Sequence, residues 1–221
     1  MKVRISIGNI ATRFLDTSNG KITHLAILNS GAWKKGDLLF GAIGGAAELT
    51  PTGRTYLEKT YRATDFYKND ARFIIDEQHL DMVMRFFQMR DPLFFEIEPL
   101  REIIEELTTT EFPTISERPG ILPILTTSEA LRFDIVYHRT VRQPIPKMGV
   151  GTSPLEQKDV PSRRLFHEFT MIGSQELLDK MLASKAVIAL TESELASTQG
   201  GTCKGTTANG MAAIADNIGL L

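Results

Sequence analysis

The chain has one cysteine in 221 residues, Cys203, so no disulfide can close within it and packing alone must hold the framework. Such usage fits a reducing compartment. Its four histidines, His24, His79, His138 and His167, show no H-x-x-x-H spacing, and no C-x-x-C exists, so neither a local metal site nor a cofactor is expected. No apolar run approaches the ~20 residues that span a bilayer. The opening MKVRISIGNIATRF alternates polar and apolar side chains where a signal peptide would carry a continuous apolar block. The expectation is a cytoplasmic protein, or a virion protein if the source is viral, without a membrane partner. A large excess of charge of one sign is also missing: the net charge is −2, with 42% hydrophobic and 24% charged residues. That composition belongs to folded proteins and excludes a wholly basic nucleic-acid binder.

The charge that is present lies in blocks. Basic residues outnumber acidic ones in 1–72, the reverse holds in 76–118, 120–164 is basic again and 165–221 acidic. Blocks of this kind either steer subunits head to tail or neutralise one another inside a monomer.

IATRFLD and KITHLAIL flank TSNG, whose Asn19-Gly20 pair predicts a β-hairpin. Gly41, Gly44 and Gly45 mark a bend, a close backbone approach or a flexible tip. TPTGRTYLEKTY reads as a short helix or a turn. The strongest helix signal follows: Asp76 stands at the N-cap, and EQHLDMVMRFFQ aligns Leu80, Val83, Met84 and Phe87, with Met82, Phe86 and Met89 widening the stripe. Asp91-Pro92 ends that helix. LFFEIE is expected as a strand. PLREIIEEL is expected as a helix with Leu100, Ile103, Ile104 and Leu107 inward and Glu102, Glu105 and Glu106 on a solvated face. ALRFDIVYHRTV alternates Leu131, Phe133, Ile135 and Tyr137 with Arg132, Asp134, Val136 and His138, a half-buried strand.

Residues 142–162 break the pattern. RQPIPKMGVGTSPLEQKDVPS has no usable period, and irregular stretches beyond about 12–15 residues tend to be functional or disordered. RRLFHEFTMI then resumes a strand, GSQELLDKMLAS is a capped helix with Leu177, Leu178, Met181 and Leu182 inward, and KAVIALT is a short buried strand. Thr191 and Glu194 have capping-box spacing. The expected fold class is α+β, a mostly antiparallel β-sheet core with two or three packed helices. The main domain takes 1–141 and 163–198, an extended Pro/Gly-rich arm takes 142–162, and 199–221 is expected as a flexible C-terminal segment.

GGTCKGTTANG, at 200–210, resembles a phosphate loop in the separation of Gly200 and Gly205, but Thr206 follows the second glycine and Lys204 precedes it. A phosphate loop needs its lysine after that glycine, on the first helical turn. Cys203 has no histidine nearby in sequence to make it a thiolate, and a helix is expected after it in TANGMAAIADNI. No catalytic residue, cofactor-binding residue or metal ligand is therefore assigned. Glu96 and Glu98 are read as solvated surface.

These features favour a structural, self-assembling subunit of a large homo-oligomer, for instance in a phage tail, neck or capsid, with copies of itself and other subunits as partners. The arm supplies the expected interface through Arg142, Pro144, Pro146, Lys147, Met148, Pro154, Lys158 and Pro161. The alternative is a nucleoprotein subunit in which Arg139, Arg142, Arg163 and Arg164 contact nucleic acid. A small-molecule enzyme using the glycine-rich tail is the third reading.

Overall fold

In chain order the elements are β1 (Lys2–Asp16), β2 (Ile22–Leu28), α1 (Ser30–Trp33), β3 (Leu39–Gly41), β4 (Ile43–Ala46), α2 (Pro51–Tyr61) and β5 (Arg72–Asp76). A 3-10 turn (Glu77–His79) leads into α3 (Leu80–Gln88), followed by α4 (Leu100–Thr108), α5 (Thr127–Ala130), β6 (Asp134–Arg142), β7 (Lys147–Met148) and β8 (Pro161–Gly173). The chain closes with α6 (Gln175–Ala183), β9 (Val187–Leu190), α7 (Glu192–Ser197), β10 (Cys203–Thr207) and β11 (Gly210–Ile214). This computed structural model describes residues 1–115, 118–142, 147–148, 160–197, 203–207 and 210–214. The protein is α+β, with a mixed sheet and several helices. Among the described residues no helix is long and apolar enough to cross a membrane.

The chain forms two units, each drawn from separate segments. The first comprises Met1–Asn9, Gly45–Pro99 and Arg139–His167, and the second Ile10–Gly44, Leu100–His138 and Glu168–Leu221.

In the first unit the start of β1 pairs antiparallel with β5, from Lys2↔Asp76 to Ser6↔Arg72. The period-two pattern turns Val3, Ile5 and Ile7 inward with Phe73 and Ile75, against Leu57 of α2, the α3 residues Val83, Met84, Phe86 and Phe87, and Phe95. The sequence placed the helix one turn early. Strand β5 runs through Asp76, whose side chain makes no cap hydrogen bond and pairs with Lys2 at 3.3 Å instead. Met82 and Met89 do not widen the buried stripe: they are 51% and 69% exposed, because the core covers only the Val83–Met84–Phe87 side and Phe86. LFFEIE is no strand. Pro92 and Leu93 lie in a turn, and the segment's one bridge is Leu49↔Phe95, made by the Thr50 N–H to the Phe94 carbonyl at 3.0 Å and the Glu96 N–H to the Glu48 carbonyl at 2.7 Å.

In the second unit the expected hairpin is present: β1 and β2 pair from Arg13↔His24 to Leu15↔Ile22, and Gly20 takes the left-handed backbone (φ 71°) that its turn requires. The Asp16 carboxylate fixes this turn, accepting from the Ser18 N–H at 2.8 Å and from Asn19 Nδ2 at 2.6 Å. His24 pairs with both Arg13 and Leu190, and Ile27 with both Gly41 and Val187. Strand β9 therefore lines one side of β2, while β1 and then β3 share the other. The hydrogen-bonded order runs β10-β11-β3-β2-β1-β8-β6. Strand β11 pairs parallel to β3 through Ala213↔Leu39 and Ile214↔Phe40, so tertiary pairing overrides the helical preference of the alanines expected to form a helix after Cys203.

The helices of this unit follow their caps. Ser174 accepts from the Leu177 N–H to start α6, whose Leu177, Leu178 and Met181 are buried while Leu182 is only half-buried. The Thr191–Glu194 capping box opens α7, with the Thr191 N–H donating to the Glu194 carboxylate at 2.7 Å. A second box, Thr126 with Glu129, opens α5. Trp33, at the end of α1, donates its indole N–H to the Pro113 carbonyl at 2.7 Å and meets Phe112 edge-on.

Candidate functional site

The residues proposed for the arm fall on several levels. Arg142, at the end of β6, is exposed and pairs with Asp81 at 3.7 Å. Lys147 and Met148 form β7, in register with Ser162 and Pro161 at the start of β8, and Pro161 is buried. Pro144, Pro146, Pro154 and Lys158 lie outside the described residues. Of the four arginines considered for nucleic acid, Arg139 is exposed like Arg142, whereas Arg163 and Arg164 are half-buried. Those two are adjacent at the start of β8. Cys203 stands on β10 opposite Ile214.

Strand β6 differs from its expected half-buried pattern. Among the described residues it stands last in the strand order, and it is exposed over most of its length. Phe133 just before it is buried, but Val136 is 51% and Tyr137 37% exposed, and Leu131 ahead of the strand is 58% exposed. Tyr137 lays one edge on Phe169 of β8, ring centroids 5.8 Å apart.

Arg13, His24, His138 and Glu168 gather in the second unit. Arg13 lies opposite His24 in the β1–β2 ladder, and its guanidinium donates to His138 Nε2 at 2.7 Å, so that imidazole nitrogen carries no proton. Burial, then the Arg13 charge, lowers the His24 pKa, against weaker opposing pulls from Glu168 and Glu192. Glu168 is fully buried and accepts from the Thr12 hydroxyl at 3.1 Å. Among the described residues no three His, Cys, Asp or Glu side chains are grouped to hold a metal ion.

Two titratable groups escaped the sequence reading. Glu106 is not on a solvated face: the Gly44 N–H donates to its carboxylate at 2.8 Å, and burial, with Glu102 and Glu105 adding to it, pushes its pKa up to about 8. His167 is fully buried, hydrogen-bonded through Nδ1 to the Thr140 hydroxyl at 2.9 Å and stacked on Phe95. Burial, then the Arg90 charge, pulls its pKa down to about 3. Its place was readable, because Leu165, His167 and Phe169 share one parity of β8 and both flanking residues are core.

A groove on α2 was also missed. The Thr50 side chain caps the helix, accepting from the Gly53 N–H at 2.9 Å, and donates to the Leu93 carbonyl at 2.7 Å. Together with the Thr50 N–H bond to Phe94, this ties the 91–94 turn to the start of α2. Gly53 permits the approach, since its missing side chain leaves room for the Phe94 backbone. Phe94 thereby becomes one wall of an open groove of about 520 Å3. No family model, curated protein or solved structure matches the chain.

Proposed function

We propose that the protein is a structural, self-assembling subunit whose copies join through β6 and the arm that follows it. The observation that supports this reading is β6 itself: the last strand of the order leaves Val136 and Tyr137 exposed, with exposed Leu131 close by. Single-subunit proteins blunt a terminal strand with charge, proline or a cover, and apolar side chains on one favour a protein neighbour. Prolines in the segment after β6 lower the entropy lost when it orders against that neighbour. Rings and tubes, as in virion tails, necks and capsids, need two different complementary surfaces on each copy, and the alternating charge blocks suit that demand. Light-scattering mass tests the reading. The parent is expected as an oligomer, and Val136→Lys and a deletion of 145–158 as folded monomers. A monomeric parent, or variants that keep the parent's mass at matched concentration, would refute it.

A further inference from the structure

The surface proposed for assembly, β6 and the arm, does not include the exposed face of α2. Thr52, Thr55, Tyr56, Lys59 and Thr60 recur along it at helical spacing and line the open groove with Phe94. Its volume, about 520 Å3, lies within the range of small-molecule sites. We propose that this groove binds a nucleotide, with the base on the Tyr56–Phe94 aromatics and the phosphate held by Lys59.

The aromatic platform is fixed before any ligand arrives. Tyr56 stacks on Phe86 with centroids 5.2 Å apart and planes 22° off parallel, and Phe94 packs 5.2 Å from Tyr56 and 5.0 Å from Phe86. Locked rings present a π-surface at little entropic cost, and stacking on such a surface accepts any base. Three threonine hydroxyls around the platform each donate and accept, which suits the edge of a base or a sugar.

Lys59 is the one charged residue in the groove's lining. Glu58 pairs with Arg54 at 3.1 Å and Asp70 with Arg72 at 3.5 Å, so these carboxylates are already compensated. The Asp65 carboxylate accepts from the Thr64 hydroxyl. Lys59 and Arg62 have no carboxylate partner among the described residues, which leaves an ammonium beside the groove and a guanidinium at the end of α2. The loop after α2 carries a further cation–aromatic set: Lys68 and Arg72 lie 5.7 and 5.8 Å from the ring of Tyr67, which is 36% exposed. Arg62 takes the left-handed backbone of the α2 C-cap, at φ 52°.

The test uses the full chain at low ionic strength with two probes, adenosine monophosphate by calorimetry and a fluorescent single-stranded DNA decamer by anisotropy. Binding of at least one is expected. Binding of the mononucleotide identifies a free nucleotide as the source of the ligand, and binding of the decamer alone identifies a single strand. Lys59→Glu, at an exposed position, should weaken the bound probe about tenfold or more and flatten its salt dependence. Tyr56→Leu should weaken it by a similar factor through lost stacking. If Tyr56→Leu fails to fold, Thr55→Glu, which puts a carboxylate into the groove, should likewise abolish binding. No binding of either probe, or binding that survives Lys59→Glu unchanged, overturns the assignment. An unaltered light-scattering mass for Lys59→Glu keeps this test separate from that of assembly.

Discussion

A Cβ placed on Gly53 would lie 1.8 Å from the carbonyl oxygen of Phe94 and 2.7 Å from its carbonyl carbon. Helix α2 and the 91–94 turn thus meet at a point where only hydrogen fits. Alanine gains about 1 kcal/mol over glycine from helix propensity alone. Overpacking against backbone commonly costs about 1–3 kcal/mol and here exceeds that gain. Gly53→Ala should lower the urea midpoint without changing the slope, whereas a raised midpoint would show that the turn gives way freely.

Glu106 makes stability fall as pH rises. Its folded pKa, about 8, lies above the ordinary 4.5, so the protonated form is the one that folding favours. The contribution is complete below about pH 4.5 and is lost as pH climbs through about 8. Glu106→Gln removes the titration. The variant should match the parent near pH 5 and exceed it near pH 9 in urea denaturation; a parent that loses nothing between those values would contradict the buried carboxyl.

His167 works in the opposite direction. With a folded pKa of about 3 against an ordinary 6.5, its neutral form is the native one. The stability it contributes is complete above about pH 6.5 and is lost as pH falls toward 3. Its imidazole resonances should therefore stay fixed between pH 8 and 5 in an NMR titration. A midpoint near 6.5 would mean that water reaches the ring stacked on Phe95.

Glu129 joins two elements of the second unit. It accepts from Lys180 of α6 at 2.5 Å and from the Thr126 N–H of its own capping box at 2.8 Å. The Lys180 bond, then those from Thr126, depress its pKa to about 2. Its stabilising effect is present above the ordinary 4.5 and fades as pH falls toward 2. Lys180→Met should move the carboxyl titration of Glu129 back toward 4.5, and a titration that stays low would assign the whole shift to Thr126.

What the sequence disclosed was local. The Asn19-Gly20 turn, the Ser174 cap and the Thr191–Glu194 box each sit within a few residues of what they control, and all three are present. What stayed hidden depended on distant segments. Glu106 looked solvated because the N–H that meets it belongs to Gly44, 62 residues away. Met82 and Met89 looked buried because periodicity cannot tell how wide a face the core will cover. The α2 groove was half legible: Thr52, Thr55, Tyr56 and Lys59 stand at helical spacing, but the Phe94 wall arrives through a bond spanning 43 residues, Thr50 to Leu93.

Strand β1 meets β2 and β5 early but β8 late. Arg4 reaches Ser162 across 158 residues, and Thr12 reaches Glu168 across 156. At a synthesis rate of ~5–20 residues per second, roughly 8 to 30 s separate the emergence of β1 from that of β8. Throughout that interval Val3, Ile5 and Ile7 leave the ribosome ahead of part of the surface that will bury them, Leu165 included. Until β8 is made those side chains lack part of their cover, an exposure that the finished chain does not have.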